Sequence, residues 1–272
     1  MRPQILTIVF GFLLSQNSWG QDVAKVDSQN DPKLNALLWM QNSAEYHALT
    51  EQAYRLALIQ LKRGLKDKSW SADEIQLKEN RFEGKIPAVI LDVDETVLDN
   101  SPFNARNVKD GTSYNLESWN AWVKEEKGRA IPGSLEFITA AKNLGVEIFY
   151  VTNRRDSSRM ATINNLAALG FPIDESHLLT RNDDQGRGGD KLSRRKFVAT
   201  THRIVLLIGD NMGDVCGGMD TANQSERNRT AKRERLLRAR WILLPNPVYG
   251  GWERALDKKR SNLDVARHSS DQ

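Results

Sequence analysis

Between residues 87 and 93 the chain reads Pro-Ala-Val-Ile-Leu-Asp-Val, an apolar run of strand length that ends on a carboxylate. A strand with one wet face alternates apolar and polar side chains; a continuous apolar run suits a strand covered on both faces of a parallel sheet. Similar runs recur at 146–151, 204–208 and 241–244. Helical patterns lie between them. One follows Pro132, spans 135–144 and stops at Gly145; another is capped by Asp156 or Ser157 and runs past Met160 and Leu166 to Gly170. Strands alternating with helices predict an α/β domain with a mostly parallel sheet, in which ligands bind beyond the carboxyl ends of the strands.

Those ends carry the chemistry. The first strand runs into Asp92-Val-Asp94-Glu-Thr96, the second into Thr152-Asn153-Arg154, and the strand near Leu207 into Gly209-Asp210-Asn-Met-Gly-Asp214. Four carboxylates gathered at one place repel, and a hard divalent cation relieves them; oxygen-only ligands suit Mg²⁺. Softer metal chemistry is excluded by composition. Cys216 is the only cysteine, and the four histidines (His47, His177, His202, His268) show neither HxH nor HExxH spacing. With no histidine near it in sequence, Cys216 reads as a small packed residue.

The ordered set DxDxT, Thr-Asn, a later lysine and GDxxxD resembles the haloacid dehalogenase superfamily. Ile-Leu-Asp-Val-Asp-Glu-Thr-Val-Leu-Asp-Asn at 90–100 and Leu-Pro-Asn-Pro-Val-Tyr-Gly-Gly-Trp-Glu at 244–253 resemble, more closely, the bacterial class C non-specific acid phosphatases. The resemblance covers residues 33–260. It implies a three-layer α/β core with a small helical cap built from the N-terminal helix and the 100–130 insertion. It also implies that Asp92 is the nucleophile and Asp94 the general acid, then base. Mg²⁺ would be held by Asp92, the backbone carbonyl of Asp94 and Asp210, with Asp214 in support. Thr152, Asn153 and Lys191 would bind the phosphoryl group, with Lys196 the alternative lysine. An aspartate rather than a threonine at 94 suits a phosphatase.

The implied activity is hydrolysis of small phosphomonoesters, since the group includes nucleotidases; no nucleic-acid polymer is expected as a partner, and a homo-oligomer stays open. Two other readings stand beside it. One is phosphotransfer from the aspartyl-phosphate to an alcohol. The other is a non-catalytic storage or binding protein on the same fold, as among plant relatives of the group, although loss of the nucleophile marks that fate and Asp92 is present.

The rest of the chain frames this core. Residues 1–20 combine a cationic start, a short apolar run and small residues at Ser18 and Gly20, the pattern of a signal peptide cleaved before Gln21. A periplasmic or secreted protein is expected, and with no cysteine near the cleavage site, no lipid anchor there. Residues 21–85 form an N-terminal helical segment: apolar positions at steps of three and four between 34 and 65 predict one long amphipathic helix or a pair, and the polar stretch 69–85 reads as a linker. The phosphatase core is drawn over 86–265. Within its insertion at 100–130, Trp119 and Trp122 are spaced to share a helix face. With Phe103 and Tyr249 they are candidates for an aromatic slot that stacks a base or aryl ring; core packing claims one of the two tryptophans. The basic run 227–240 reads as a solvated helix.

Overall fold

The structure, a computed structural model, describes residues 31–80, 82–181 and 189–256. The leader expected at 1–20 lies outside these residues. The apolar stripe at 34–65 is a helix pair, α1 (Leu34–Asn42) and α2 (Ala44–Lys66). Ser43 divides them: its backbone is extended and its hydroxyl accepts the Tyr46 N–H at 3.0 Å, an N-cap. Then come α3 (Glu74–Glu79), β1 (Ile86–Leu91) and β2 (Leu98–Asp99). The insertion supplies α4 (Ser101–Asp110) and α5 (Leu116–Lys124), closed by β3 (Arg129–Ala130), which pairs antiparallel with β2. The chain continues through α6 (Ser134–Asn143), β4 (Glu147–Arg155), α7 (Arg159–Ala168), β5 (Leu178–Arg181), α8 (Leu192–Thr201) and β6 (His202–Gly209). It ends in α9 (Met212–Val215), α10 (Gln224–Arg233), β7 (Trp241–Leu243) and α11 (Gly251–Ala255).

Five strands form one parallel sheet in the order β5-β4-β1-β6-β7. Successive strand residues point to opposite faces, and here both faces are apolar. Val89, Leu91, Ile148, Tyr150, Val205 and Ile208 pack with Ala57 and Leu61 of α2 and Phe137 and Ile138 of α6. Ala88, Ile90, Phe149, Val151, Ile204 and Leu207 enter a second core with Val198 of α8 and Trp241. The result is the expected three-layer α/β domain. Of the segments expected to build a cap, α1 packs on α4, whereas α2 lies across the sheet against β6 and α6. Register pairs Leu91 with both Tyr150 and Ile208, so the residues that follow these three strands emerge side by side.

Three local expectations are corrected. The stretch read as a linker is built into the core. β7 pairs with β6 only from Leu207 onward, which leaves the first half of β6 without a strand on that side. Residues 70–72 supply the missing donors: the Trp70 indole N–H reaches Val205 O at 2.8 Å, and the Ala72 N–H reaches Ile204 O at 2.7 Å. Neither Asp156 nor Ser157 caps α7, because Asp156 is engaged elsewhere, accepting the Thr180 hydroxyl of β5 at 2.6 Å and Arg159 Nε at 3.0 Å. The basic run is not one solvated helix: α10 ends at Arg233, and Arg227 is buried, donating to Met219 O at 2.6 Å and Asn211 Oδ1 at 3.2 Å.

Candidate active site

A cavity of about 450 Å³ opens over the strand ends, lined among others by Asp92, Asp94, Asn153, Lys191, Asp210 and Asp214. Asp92 directly follows β1, and its N–H is held by Ile208 O at 3.0 Å. Asp210 follows β6 and Asp214 lies in α9. Gly209 makes that arrangement possible, since a Cβ there would collide with the Asp214 carboxyl. The Asp214 carboxylate also closes a capping box, accepting the Asn211 N–H at 2.8 Å.

One oxygen from each of Asp92, Asp210 and Asp214 lies within 4.8 Å of the others. Lys191, the residue preceding α8, places its Nζ 2.5 Å from Asp92 Oδ1 and 2.7 Å from Asp214 Oδ1. Burial pushes the Asp92 carboxyl well above the usual carboxylate range; the Lys191 charge opposes that shift, and the neighbouring aspartates add to it. Burial and then Asp214 push Asp210 up to about 7, against a hydrogen bond from the Asn246 amide to Oδ2 at 2.8 Å. Burial alone would lower the Lys191 ammonium, but Asp214 and Asp92 outweigh it and the net shift is upward.

Three convergent carboxylates facing one ammonium form an anionic cradle short of positive charge. The donors are all oxygen, so the residues fit a hard divalent cation such as Mg²⁺ and give a soft metal no ligand.

The other sequence candidates are distributed as follows. Asn153 is exposed on the cavity wall, its Oδ1 accepting from Arg194 at 2.7 Å. Thr152 is fully buried behind the wall, with its hydroxyl 3.5 Å from Asp94 Oδ2. Lys196 is exposed on α8, outside the cavity lining, which leaves Lys191 as the lysine at the carboxylates. Phe103 and Trp119 meet edge to face at 5.1 Å between centroids, and with Tyr114 and Tyr249 they line the cavity.

Trp122 is corrected: it is absent from the lining and only 3% exposed, and its indole N–H donates to Asn100 Oδ1 at 2.9 Å. Shared spacing put both tryptophans on one face of α5, but the more C-terminal one is turned into the protein. The sequence reading gave no role to Asn246, although it lies in the Pro-Asn-Pro motif, nor to the buried Arg154 that follows Thr-Asn. Cys216 packs on the second core, and burial pushes its thiol up to about 11.

Residues 16–252 match the family described as HAD superfamily, subfamily IIIB (Acid phosphatase). The chain belongs to this family. Among solved structures, this subfamily IIIB chain is similar to the class C acid phosphatase of Bacillus anthracis, at 35% identity and a TM-score of 0.72 over 86% of this chain and 92% of that one. A tungstate-bound structure of the Bacillus anthracis enzyme matches at 34% identity and the same TM-score, over 88% and 93% of the two chains. Acid phosphatase 1 of Solanum lycopersicum is 29% identical over 163 residues, 59% of this chain and 57% of that protein. The stem 28 kDa glycoprotein of Glycine max is 25% identical over 164 residues, 59% and 58%. The match thus spans somewhat under two thirds of the length of these plant relatives. Among the described residues no helix is long and apolar enough to cross a membrane.

Proposed function

We propose that this chain hydrolyses small phosphomonoesters through an aspartyl-phosphate on Asp92, with Mg²⁺ as its cofactor. The observation that carries the reading is the buried Lys191 ammonium set between Asp92 and Asp214, beside Asp210, at the foot of the cavity. Lys191 and Asn153 receive the phosphoryl oxygens and hold phosphorus in line with an Asp92 carboxylate oxygen. Asp92 attacks phosphorus; the bond to the ester oxygen breaks, and that oxygen leaves with a proton from Asp94. Asp94 then takes a proton from water as the water attacks phosphorus, and the bond to Asp92 breaks to release phosphate. Bound at Asp92, Asp210 and the Asp94 backbone carbonyl, with Asp214 in support, a divalent cation supplies charge neutralisation for the phosphoryl oxygens.

The tungstate complex of the Bacillus anthracis enzyme supports this reading, because tungstate is a tetrahedral oxyanion of the same shape as phosphate. The test is release of inorganic phosphate from p-nitrophenyl phosphate by purified protein supplied with Mg²⁺; an inert, correctly folded protein would leave a binding or storage role on this fold. Adding an alcohol and analysing products separates hydrolysis from phosphotransfer.

The aromatic rim points to substrates whose leaving group carries a ring, nucleoside monophosphates among them. Tyr249 is expected to stack on that ring, with Trp119, Phe103 and Tyr114 completing the rim. Tyr249→Ala should cost such substrates roughly 1–3 kcal/mol, about five- to 150-fold in kcat/KM, while glycerol phosphate changes little. Comparing the two substrates in one variant cancels general damage. An equal loss on both makes Tyr249 structural.

We also propose export, on the strength of the leader pattern in residues 1–20. Fractionation of a bacterial host followed by N-terminal sequencing should find the mature chain outside the cytoplasm and starting at Gln21. Retention of residues 1–20 on the active protein would refute it.

A further inference from the structure

Asp94 presents its two oxygens very differently. Oδ1 accepts hydrogen bonds from Arg154 Nε at 2.9 Å and Asn100 Nδ2 at 2.9 Å, and Arg154 Nη2 lies beside it in an ion pair at 2.8 Å. Among the hydrogen bonds of the described residues, Oδ2 has the Thr152 hydroxyl alone, at 3.5 Å. The carboxylate lines the cavity with 17% of its side chain exposed. Two donors fill the two lone pairs of that oxygen, and the guanidinium charge beside it opposes the half-turn that would exchange the two.

The donors are themselves fixed. The Arg154 side chain is 1% exposed; its Nη1 donates to Thr162 Oγ1 at 3.2 Å, and Nη2 also reaches Asn100 Oδ1 at 3.3 Å. An asparagine amide can face either way, and its neighbours decide. The Trp122 indole N–H, a group that can only donate, lies 2.9 Å from Asn100 Oδ1. That contact sends Oδ1 toward Trp122 and Nδ2 toward Asp94. The Asn100 backbone is pinned as well, its N–H donating to Oε1 of the buried Glu95 at 2.8 Å.

We propose that Arg154, Asn100 and Trp122 are positioning residues for proton transfer: by occupying Oδ1 of Asp94 they make Oδ2 the one atom that delivers a proton to the leaving oxygen. Trp122, displaced from the substrate pocket, acquires a role at one remove, setting the amide that sets the carboxylate. The inference rests on the reading of Asp94 as the general acid.

A series of esters from dinitrophenyl through phenyl to alkyl phosphate tests it. Expulsion of dinitrophenolate needs almost no protonation, whereas an alkoxide needs it fully. The quantity to read is kcat/KM, which covers steps only as far as the first P–O cleavage and so omits the later work of Asp94 as a base. Asn100→Ala and Arg154→Gln should lose about 10²-fold on the alkyl ester and less than about threefold on the dinitrophenyl ester. Trp122→Phe keeps a ring but removes the N–H; it should show the same gradient, reduced to about tenfold at the alkyl end.

Asp94→Asn is the reference. A graded loss there, with uniform losses in the three positioning variants, overturns the inference and leaves the general acid in place. A uniform loss in Asp94→Asn overturns the general-acid reading and the inference with it. If Arg154→Gln does not fold, as judged by thermal melting, Asn100→Ala and Trp122→Phe decide.

Discussion

Asp92→Asn is expected to lower kcat on p-nitrophenyl phosphate by about 10³-fold or more without unfolding the protein. The substitution removes the attacking oxygen and one cation ligand, yet asparagine fills nearly the same volume, and Lys191 keeps its contact with Asp214 at 2.7 Å. Burial already pushes the Asp92 carboxyl toward its neutral form, so an uncharged amide is sterically and electrostatically tolerable where it sits. Phosphate release should be measured on fresh protein whose mass excludes deamidation. Residual activity above about one per cent of the parent counts against Asp92 as the nucleophile.

Removal of divalent cations should have an effect of similar size. Activity should fall below about one per cent after chelation and return with Mg²⁺, whereas Ca²⁺, larger and looser in coordination, should bind but support little turnover. Full activity in metal-stripped protein would refute the site as drawn.

Stability should carry the same signature, with a definite sign. Burial raises Asp210 from 3.8 to about 7. Between those values the folded chain holds a proton that the unfolded chain has released. Its contribution to stability is therefore fully present below about 3.8 and is lost as pH rises through about 7. A cation bound at these carboxylates would take the place of that proton. The rise in melting temperature on adding Mg²⁺ should be small at about pH 5 and larger at about pH 7.5. An increment that shrinks with rising pH would show that the cation does not bind at these carboxylates.

What the sequence disclosed follows from what kind of signal each feature leaves. The core strands were legible because burial on both faces demands an unbroken apolar run, Asp92 and Asp210 because they fall at the ends of such runs, and Asp214 because it closes the motif that Asp210 opens. β5 left no comparable mark: Leu178–Arg181 is four residues long and too short for a period. Trp70, Ser71 and Ala72 are hidden at the start of a polar, aperiodic stretch, because their work is hydrogen bonding to β6, which no hydropathy pattern records. Trp119 and Trp122 are equivalent by spacing, and only the way α5 sits on the protein separates them. Arg154 stands in plain view after Thr-Asn, but its partners Asn100, Asp94 and Thr162 come from other parts of the chain. Chemistry carried by one segment could be read; chemistry shared among several required the fold.

The pairing of residues 70–72 with β6 bears on how far this protein can be divided. By sequence, the cut that separates the N-terminal helical segment from the phosphatase core falls near residue 85. Yet Trp70 and Ser71 reach Val205 and Ile204 across 135 and 133 positions of chain, and Ala72 also accepts the Trp241 indole N–H at 2.8 Å. A core trimmed at 85 would expose the flank of an inner strand, with acceptors built for partners that are gone. The minimal unit that keeps its sheet intact therefore begins upstream of Trp70. Because a stretch made early must wait for one made late, the last gap in that sheet closes only when most of the chain is available.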